Sequence, residues 1–177
     1  GNESLHVEFF GGEPLLNWPV IDHILNRFGA GADGVAINYS ITTNGYLIDD
    51  PMAKTLKRHG VTVTISFDAP NKHNRPLTGR VKGGRRVKKS LLTLQKHQNW
   101  VTFNSVLSKG AIREYDGVAL VDEAVRYGVK MIGLILDLDL QFYQSKARRQ
   151  KVVGELLSTY QYGASRNVPV VGYWYQI

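Results

Sequence analysis

Short apolar runs rich in β-branched residues alternate along this chain with longer stretches of helical period. Residues 5–10 (LHVEFF) read as a strand, and residues 15–28 as a helix with Leu16, Val20, Ile24 and Phe28 on one face. A second strand is expected over 35–42 (VAINYSIT), closed by the turn Thr43-Asn44-Gly45. A helix over 51–59 stops at Gly60, and 61–67 (VTVTISF) is the clearest strand of all. The polar stretch 68–79 is longer than a structural connection needs. Beyond it the pattern predicts a helix over 82–97 with Val87, Leu91 and Leu94 buried, then a strand over 101–107 and a helix over 115–127. A strand over 131–136 and a last helix over 146–165 follow, and Val170-Val171-Gly172 leads into the aromatic end Tyr173-Trp174-Tyr175.

Five strands alternating with helices call for a parallel sheet with right-handed crossovers. Periodicity leaves open whether that sheet is flat and doubly wound or curved into a barrel. In both, ligands gather at the carboxyl ends of the strands, so chemistry is sought there.

With 177 residues and 43% hydrophobic content, the chain can bury one substantial core, and residues 1–177 are read as a single domain. The absence of cysteine excludes disulfides and thiolate metal sites, and it excludes a cysteine-ligated iron–sulfur cluster held by this chain alone. No apolar run reaches the length of about 20 residues that a bilayer requires, so no membrane partner is expected. No basic-then-apolar leader opens the chain, and a cytoplasmic location is expected. The chain begins without methionine and enters a strand almost at once, which reads as a cut through a longer protein.

The net charge of +7 admits a polyanionic partner. The cations gather in two sets: Arg80, Lys82, Arg85, Arg86, Lys88 and Lys89, then Lys146, Arg148, Arg149 and Lys151. No aromatic residues interleave with them as a base-stacking platform requires, so a solvated helix face is preferred to a nucleic-acid site. The five histidines (His6, His23, His59, His73 and His97) lack metal-ligand spacing and are expected in solvent or in satisfied contacts.

The strand ends carry Gly11-Gly12-Glu13-Pro14, Thr42-Thr43-Asn44-Gly45, Ser66-Phe67-Asp68, Asn104-Ser105, and Asp137 with Asp139. This is a rim of amides, hydroxyls and carboxylates without a nucleophile elbow, a serine–histidine pair or a phosphate loop. Such groups suit a polar zwitterion and a ribose, with an ammonium meeting Glu13 or carbonyl oxygens.

FFGGEPLL, then ITTNGYLID, then VTVTISFDAPNKHNRPLTG, resembles in order and spacing three motifs of radical S-adenosylmethionine (SAM) enzymes. The resemblance is to the branch that matures peptides and proteins, with the anaerobic sulfatase-maturing and other SPASM-type maturases. It implies a partial (β/α)6 TIM-type barrel, an α/β fold of parallel strands, of which this chain covers units two to six. It also implies SAM as cofactor, a 4Fe-4S cluster held by cysteines elsewhere in the parent, and a peptide or protein substrate. By the same resemblance, Gly11, Gly12, Glu13 and Pro14 contact the methionyl amino group, while Thr43, Asn44 and Gly45 take the place of the "TNG" turn. Ser66 and Asp68 lie near the methionine carboxylate and ribose. Arg75 is the basic residue of the following loop, and Asn104 is the polar residue of the fifth strand. The CxxxCxxC segment and any cysteine-rich C-terminal extension are missing, and Ala69 and Asn74 replace the commoner glycine and acid.

Each of these residues also has a plain structural reading. Glu13 suits the first turn of a helix, Ser66 and Asp68 suit a loop, and Arg75 suits a surface ion pair. Asp137 or Asp139 is a candidate substrate contact, and the aromatic end suits packing against a following domain. The leading functional expectation is the SAM-binding core of a radical SAM enzyme, inactive by itself. One alternative is a degenerate, non-catalytic domain that binds SAM or a peptide; another is an unrelated parallel α/β nucleotide binder. An open barrel lacking its neighbouring segments exposes a strand edge and apolar surface, so the isolated chain is expected to self-associate.

Overall fold

The computed structural model describes residues 4–68, 81–108, 115–137 and 144–172, with backbone only for 81–84, 108 and 137. Arg75, His73, Asn74, Asp139, the side chain of Asp137 and the aromatic end at 173–175 lie outside the described residues. The chain groups into two compact units. One is Gly1–Ser66 with Arg86–Val101, and the other is Phe67–Arg85 with Thr102–Ile177.

In the first unit, β1 (Ser4–Phe9), β3 (Val35–Thr43) and β4 (Thr62–Ser66) run parallel in the order β1-β3-β4. The two-residue β2 (Gly31–Ala32) pairs antiparallel with the start of β3. Glu8 lies level with Ser40, and Ser40 with Thr62. Because strand side chains alternate, that register sorts the sheet into two unlike faces. One presents Val7, Phe9, Tyr39, Ile41, Val63 and Ile65. The other presents His6, Glu8, Asn38, Ser40, Thr42, Thr62, Thr64 and Ser66. The apolar face forms the core with Leu25, Ala53, Leu56, Val87, Leu91 and Leu94, all essentially removed from water. Each of the leucine and valine side chains among them contributes about 1.5–3 kcal/mol of burial. The covering helices are α1 (Trp18–Phe28), α2 (Asp50–Arg58) and the later turns of α3 (Val81–Lys96).

The face expected for the first helix is corrected by the structure. Its N-terminal turn is a 3-10 helix (Pro14–Asn17), in which Leu15 is 2% exposed and Leu16 is 77% exposed. Three residues per turn shift the phase that a 3.6-residue period would carry forward from Leu16. Ile21 and Leu25 therefore enter the core, while Val20 and Phe28 remain 48% and 44% exposed.

In the second unit, β5 (Val101–Ser108), β6 (Met131–Asp137) and β7 (Val170–Gly172) are also parallel, in that order. Phe103, Leu107, Ile132, Leu134 and Val170 line its buried face, with Phe67 stacked on Phe103 at 4.5 Å. The helices are α4 (Gly117–Arg126) and α5 (Lys146–Ser165). They touch where Gly117 meets Thr159: a Cβ on Gly117 would lie 2.8 Å from the Thr159 Cβ.

Among the described residues the five expected helices are present and the expected five strands become seven. β2 is held by the two-residue turn Asp33-Gly34, with φ of +50° and +82°, a primed hairpin turn for which Asp-Gly is a favoured pair. β7 was expected only as a lead-in to the aromatic end. It is a three-residue strand that depends on its non-local partner β6.

Candidate functional site

The site is built at the carboxyl end of β1. Gly11 takes φ of +138°, a conformation that L side chains rarely adopt, and a Cβ at either Gly11 or Gly12 would meet nothing within 4 Å. The backbone is therefore bare and open at this turn. Glu13 follows in extended conformation as the N-cap of the 3-10 turn, and Pro14 occupies the first helical position, where its missing N–H costs nothing.

The Glu13 carboxylate joins three segments. Oε1 accepts from the Leu15 amide at 3.1 Å and from the Thr43 hydroxyl at 2.6 Å, and Oε2 accepts from the Asn44 amide at 2.9 Å. The capping role weighed for this acid is real, and it coincides with a second role as a staple between the end of β1 and the end of β3. A carboxylate offers about four lone-pair positions, so one on Oε2 remains for a ligand.

The Thr43-Asn44-Gly45 turn is held as tightly. Thr43, 2% exposed, donates to Glu13 and accepts from the Gly45 amide at 3.0 Å. Asn44 Oδ1 accepts from the Tyr46 amide at 2.9 Å, while its Nδ2 makes no hydrogen bond among the described residues. Gly45 sits at φ of +75°, with Ile65 beneath it.

Ser66 ends β4 on the polar face of the same sheet, half-buried. Asp68 and Asn104 both belong to the second unit. Asp68, 3% exposed, accepts the Val106 amide at 2.9 Å on Oδ1, and the Phe67 amide donates to the Asn104 carbonyl at 2.9 Å. The Asn104 side-chain oxygen lies over Gly133, where a Cβ would stand 3.5 Å from it. Nearby in that unit, burial pushes the Tyr115 hydroxyl well above the ordinary phenol range.

Of the expected residues, then, Glu13, Thr43 and Asn44 are directly joined, with Gly11, Gly12 and Pro14 shaping their turn. Ser66 shares their unit, and Asp68 and Asn104 share the other. Not anticipated was the polar face itself, where His6 Nε2 lies 2.9 Å from Ser40 Oγ and Thr42 donates to Glu8 at 3.2 Å. The signal was in the sequence: LHVEF and VTVTIS alternate strictly, and VAINYSITT alternates from Ile37 to Thr42, whereas parallel strands covered on both faces read as continuous apolar runs. Of the remaining histidines, His97 lies 2.8 Å from Asp50 and His59 lies 3.3 Å from Asn26. Among the described residues no cluster of His, Asp and Glu is arranged to hold a metal, and no helix is long and apolar enough to cross a membrane.

Comparison with known proteins places this geometry in context. The chain is 37% identical over 174 residues to the radical SAM cyclopropyl synthase TigE of Paramaledivibacter caminithermalis, covering 98% of this chain and 36% of that protein. It thus spans roughly a third of the length of that curated relative. Native anSMEcpe with bound AdoMet and Cp18Cys peptide matches with a TM-score of 0.74 at 20% identity, covering 99% of this chain and 52% of that one. Streptococcus suis SuiB matches with a TM-score of 0.65 at 18% identity, over 96% of this chain and 39% of that one. These likenesses show the fold, the parallel-stranded α/β architecture of a partial TIM-type barrel. Residues 3–119, from the first strand into α4, match the Radical SAM superfamily, and this chain is a member of it.

Proposed function

We propose that residues 1–177 form a single SAM-binding core, units two to six of the barrel, of a radical SAM enzyme that modifies a peptide or protein. Membership of the superfamily sets aside an unrelated nucleotide binder. The observation that carries the proposal is the Glu13 turn: a carboxylate locked by three donors, with one lone pair uncommitted, beside bare glycine backbone. That arrangement fits an ammonium group. In this reading Gly11, Gly12, Glu13 and Pro14 receive the amino-acid end of SAM. Asn44 Nδ2 offers a donor to its carboxylate, with Thr43 holding Glu13 in place. Ser66, Asp68, Arg75 and Asn104 complete the cofactor contacts. Bound SAM would supply hydrogen-atom abstraction once a one-electron reductant held elsewhere in the parent cleaves its sulfonium bond, while the residues of this chain orient and shield it.

A thiolate-ligated iron–sulfur cluster does not fit this chain, which has no cysteine. Its ligands would come from other segments of the parent, on the N-terminal side, with the further C-terminal segments as additional partners. The peptide substrate is supported by the relatives, since anSMEcpe is described with a bound peptide and SuiB with its precursor peptide SuiA. The missing cysteines also favour a second reading, a degenerate domain that binds SAM or a peptide without catalysis.

Equilibrium dialysis of SAM against this chain tests the cofactor assignment, and absence of binding removes it. Anaerobic reconstitution of the intact parent separates the two readings. Release of 5′-deoxyadenosine from SAM supports the enzyme, and SAM binding without release supports the degenerate domain.

A further inference from the structure

We infer that the polar face of the β1-β3-β4 sheet recognises a cationic side chain, lysine or arginine, of the peptide substrate, with Glu8 as its acceptor. The inference rests on the functional reading above and names the substrate chemistry for that site.

The two acids near the end of β1 differ in what they have left to offer. Glu13 is committed to three donors. Glu8 is exposed and accepts one hydrogen bond among the described residues, from the Thr42 hydroxyl at 3.2 Å. That bond aims the carboxylate across β3 and leaves about three of its four lone-pair positions open. The described face holds one carboxylate, Glu8, and one imidazole, His6. It holds no lysine or arginine in β1, β3 or β4, although the chain carries 22 such residues against 15 acids. An acid without a cation in so basic a chain makes this face a local acceptor for positive charge.

The neighbours add reach. His6 is engaged with Ser40 at 2.9 Å, and the Glu8–Ser40–Thr62 row lies level across three strands. At about 4.8 Å between strands, it lays an acid and two hydroxyls over roughly 10 Å. This is enough for a long cationic side chain to meet the carboxylate while peptide amides and carbonyls meet the hydroxyls. The other possible source of an ammonium at Glu8 is SAM itself, and the experiment separates the two.

The intact protein is titrated with acetylated, amidated tripeptides Ala-Lys-Ala, Ala-Arg-Ala, Ala-Gln-Ala and Ala-Glu-Ala, with and without SAM, and binding is read by NMR shift or calorimetry. The lysine and arginine peptides are expected to bind about fivefold more tightly than the glutamine peptide, the range of a well-placed but solvated ion pair. Added salt is expected to erase the difference. Glu8→Gln abolishes the preference and leaves SAM affinity unchanged; Glu8→Lys, checked for folding by circular dichroism, shifts it to the glutamate peptide. A wild-type protein that does not discriminate, or a Glu8→Gln variant that still does, overturns the inference. So does a Glu8→Gln variant that loses SAM rather than peptide discrimination, since the carboxylate then serves the cofactor. Failure of the wild type to bind SAM overturns the functional reading instead, and the peptide titrations without SAM still decide the role of Glu8.

Discussion

Replacing Glu13 by glutamine keeps size and shape and tests whether this acid is a structural staple. All three groups that address it are donors: the Leu15 amide, the Thr43 hydroxyl and the Asn44 amide. A carboxamide has one acceptor oxygen, so whichever way it is turned its NH2 faces at least one of them. With the oxygen placed at Oε1, the Asn44 amide loses its acceptor. The other two bonds then lose the charge that shortened the one from Thr43 to 2.6 Å. A hydrogen bond to a charged group contributes about 1.5–3 kcal/mol, and an abandoned part-buried donor adds its own cost, so about 2–4 kcal/mol is expected in total. At a urea slope of about 2 kcal/mol per molar, the unfolding midpoint falls by roughly 1–2 M. Glu8→Gln is the control, because it removes the charge from an exposed acid with one long bond. Its midpoint should move by less than about 0.2 M on the same slope. Urea titrations followed by circular dichroism decide the matter. Equal midpoints for the two variants would refute the staple and return Glu13 to the status of a free ligand group.

Gly117→Ala places a methyl group into Thr159 and is expected to cost about 1–3 kcal/mol, measured by urea titration and only partly restored by adding Thr159→Ala, which removes the hydroxyl but leaves the Cβ 2.8 Å away. A Gly117→Ala protein as stable as the wild type shows that the α4 and α5 contact is looser than described. Hydrogen bonds from Lys96, His97 and Lys54 hold the Asp50 carboxyl well below the usual carboxylate range. Since the folded state has the lower pKa, this stabilisation is complete above about pH 5 and fades as pH falls toward the folded value. The stability gap between wild type and Asp50→Asn should therefore narrow on acidification, and a gap that widens reverses the assignment. The exposed Leu16 and Val20 are expected to drive association of the isolated chain. Light scattering should show Leu16→Glu with Val20→Lys shifted toward monomer at unchanged urea midpoint, and a monomeric wild type removes that expectation.

How much of this was legible in the sequence depends on whether a feature is local. Gly60 after α2 and the Val87, Leu91, Leu94 stripe of α3 mark their helices within a few residues, because capping and periodicity are properties of neighbours. The face of α1 was not legible, because the 3-10 turn that sets its phase is held by Glu13 bonding to Thr43, thirty residues away. The turn residues Gly11 and Gly45 were legible for the same reason that they are needed, positive φ in a tight loop. The polar sheet face was written as alternation through most of each strand, yet bringing Glu8 level with Ser40 required the β1–β3 register. Asp68 showed its residue type but not its use, since its partner, the Val106 amide, comes from a distant strand.

The Asp33-Gly34 hairpin bears on how that register is reached during folding. Ala36 pairs with Ser4 on one side and Gly31 on the other, and β4 joins only from Ser40 onward. β2 therefore occupies the stretch of β3 that β4 leaves vacant, and it does so through a two-residue turn that sets the β2–β3 pairing. A hairpin closes in about 1–10 μs, well before parallel strands separated by a helix find one another. The start of β3 is thus aligned before its neighbours arrive. Any slip by a single residue, which would swap its oily and watery sides, is discouraged at the outset.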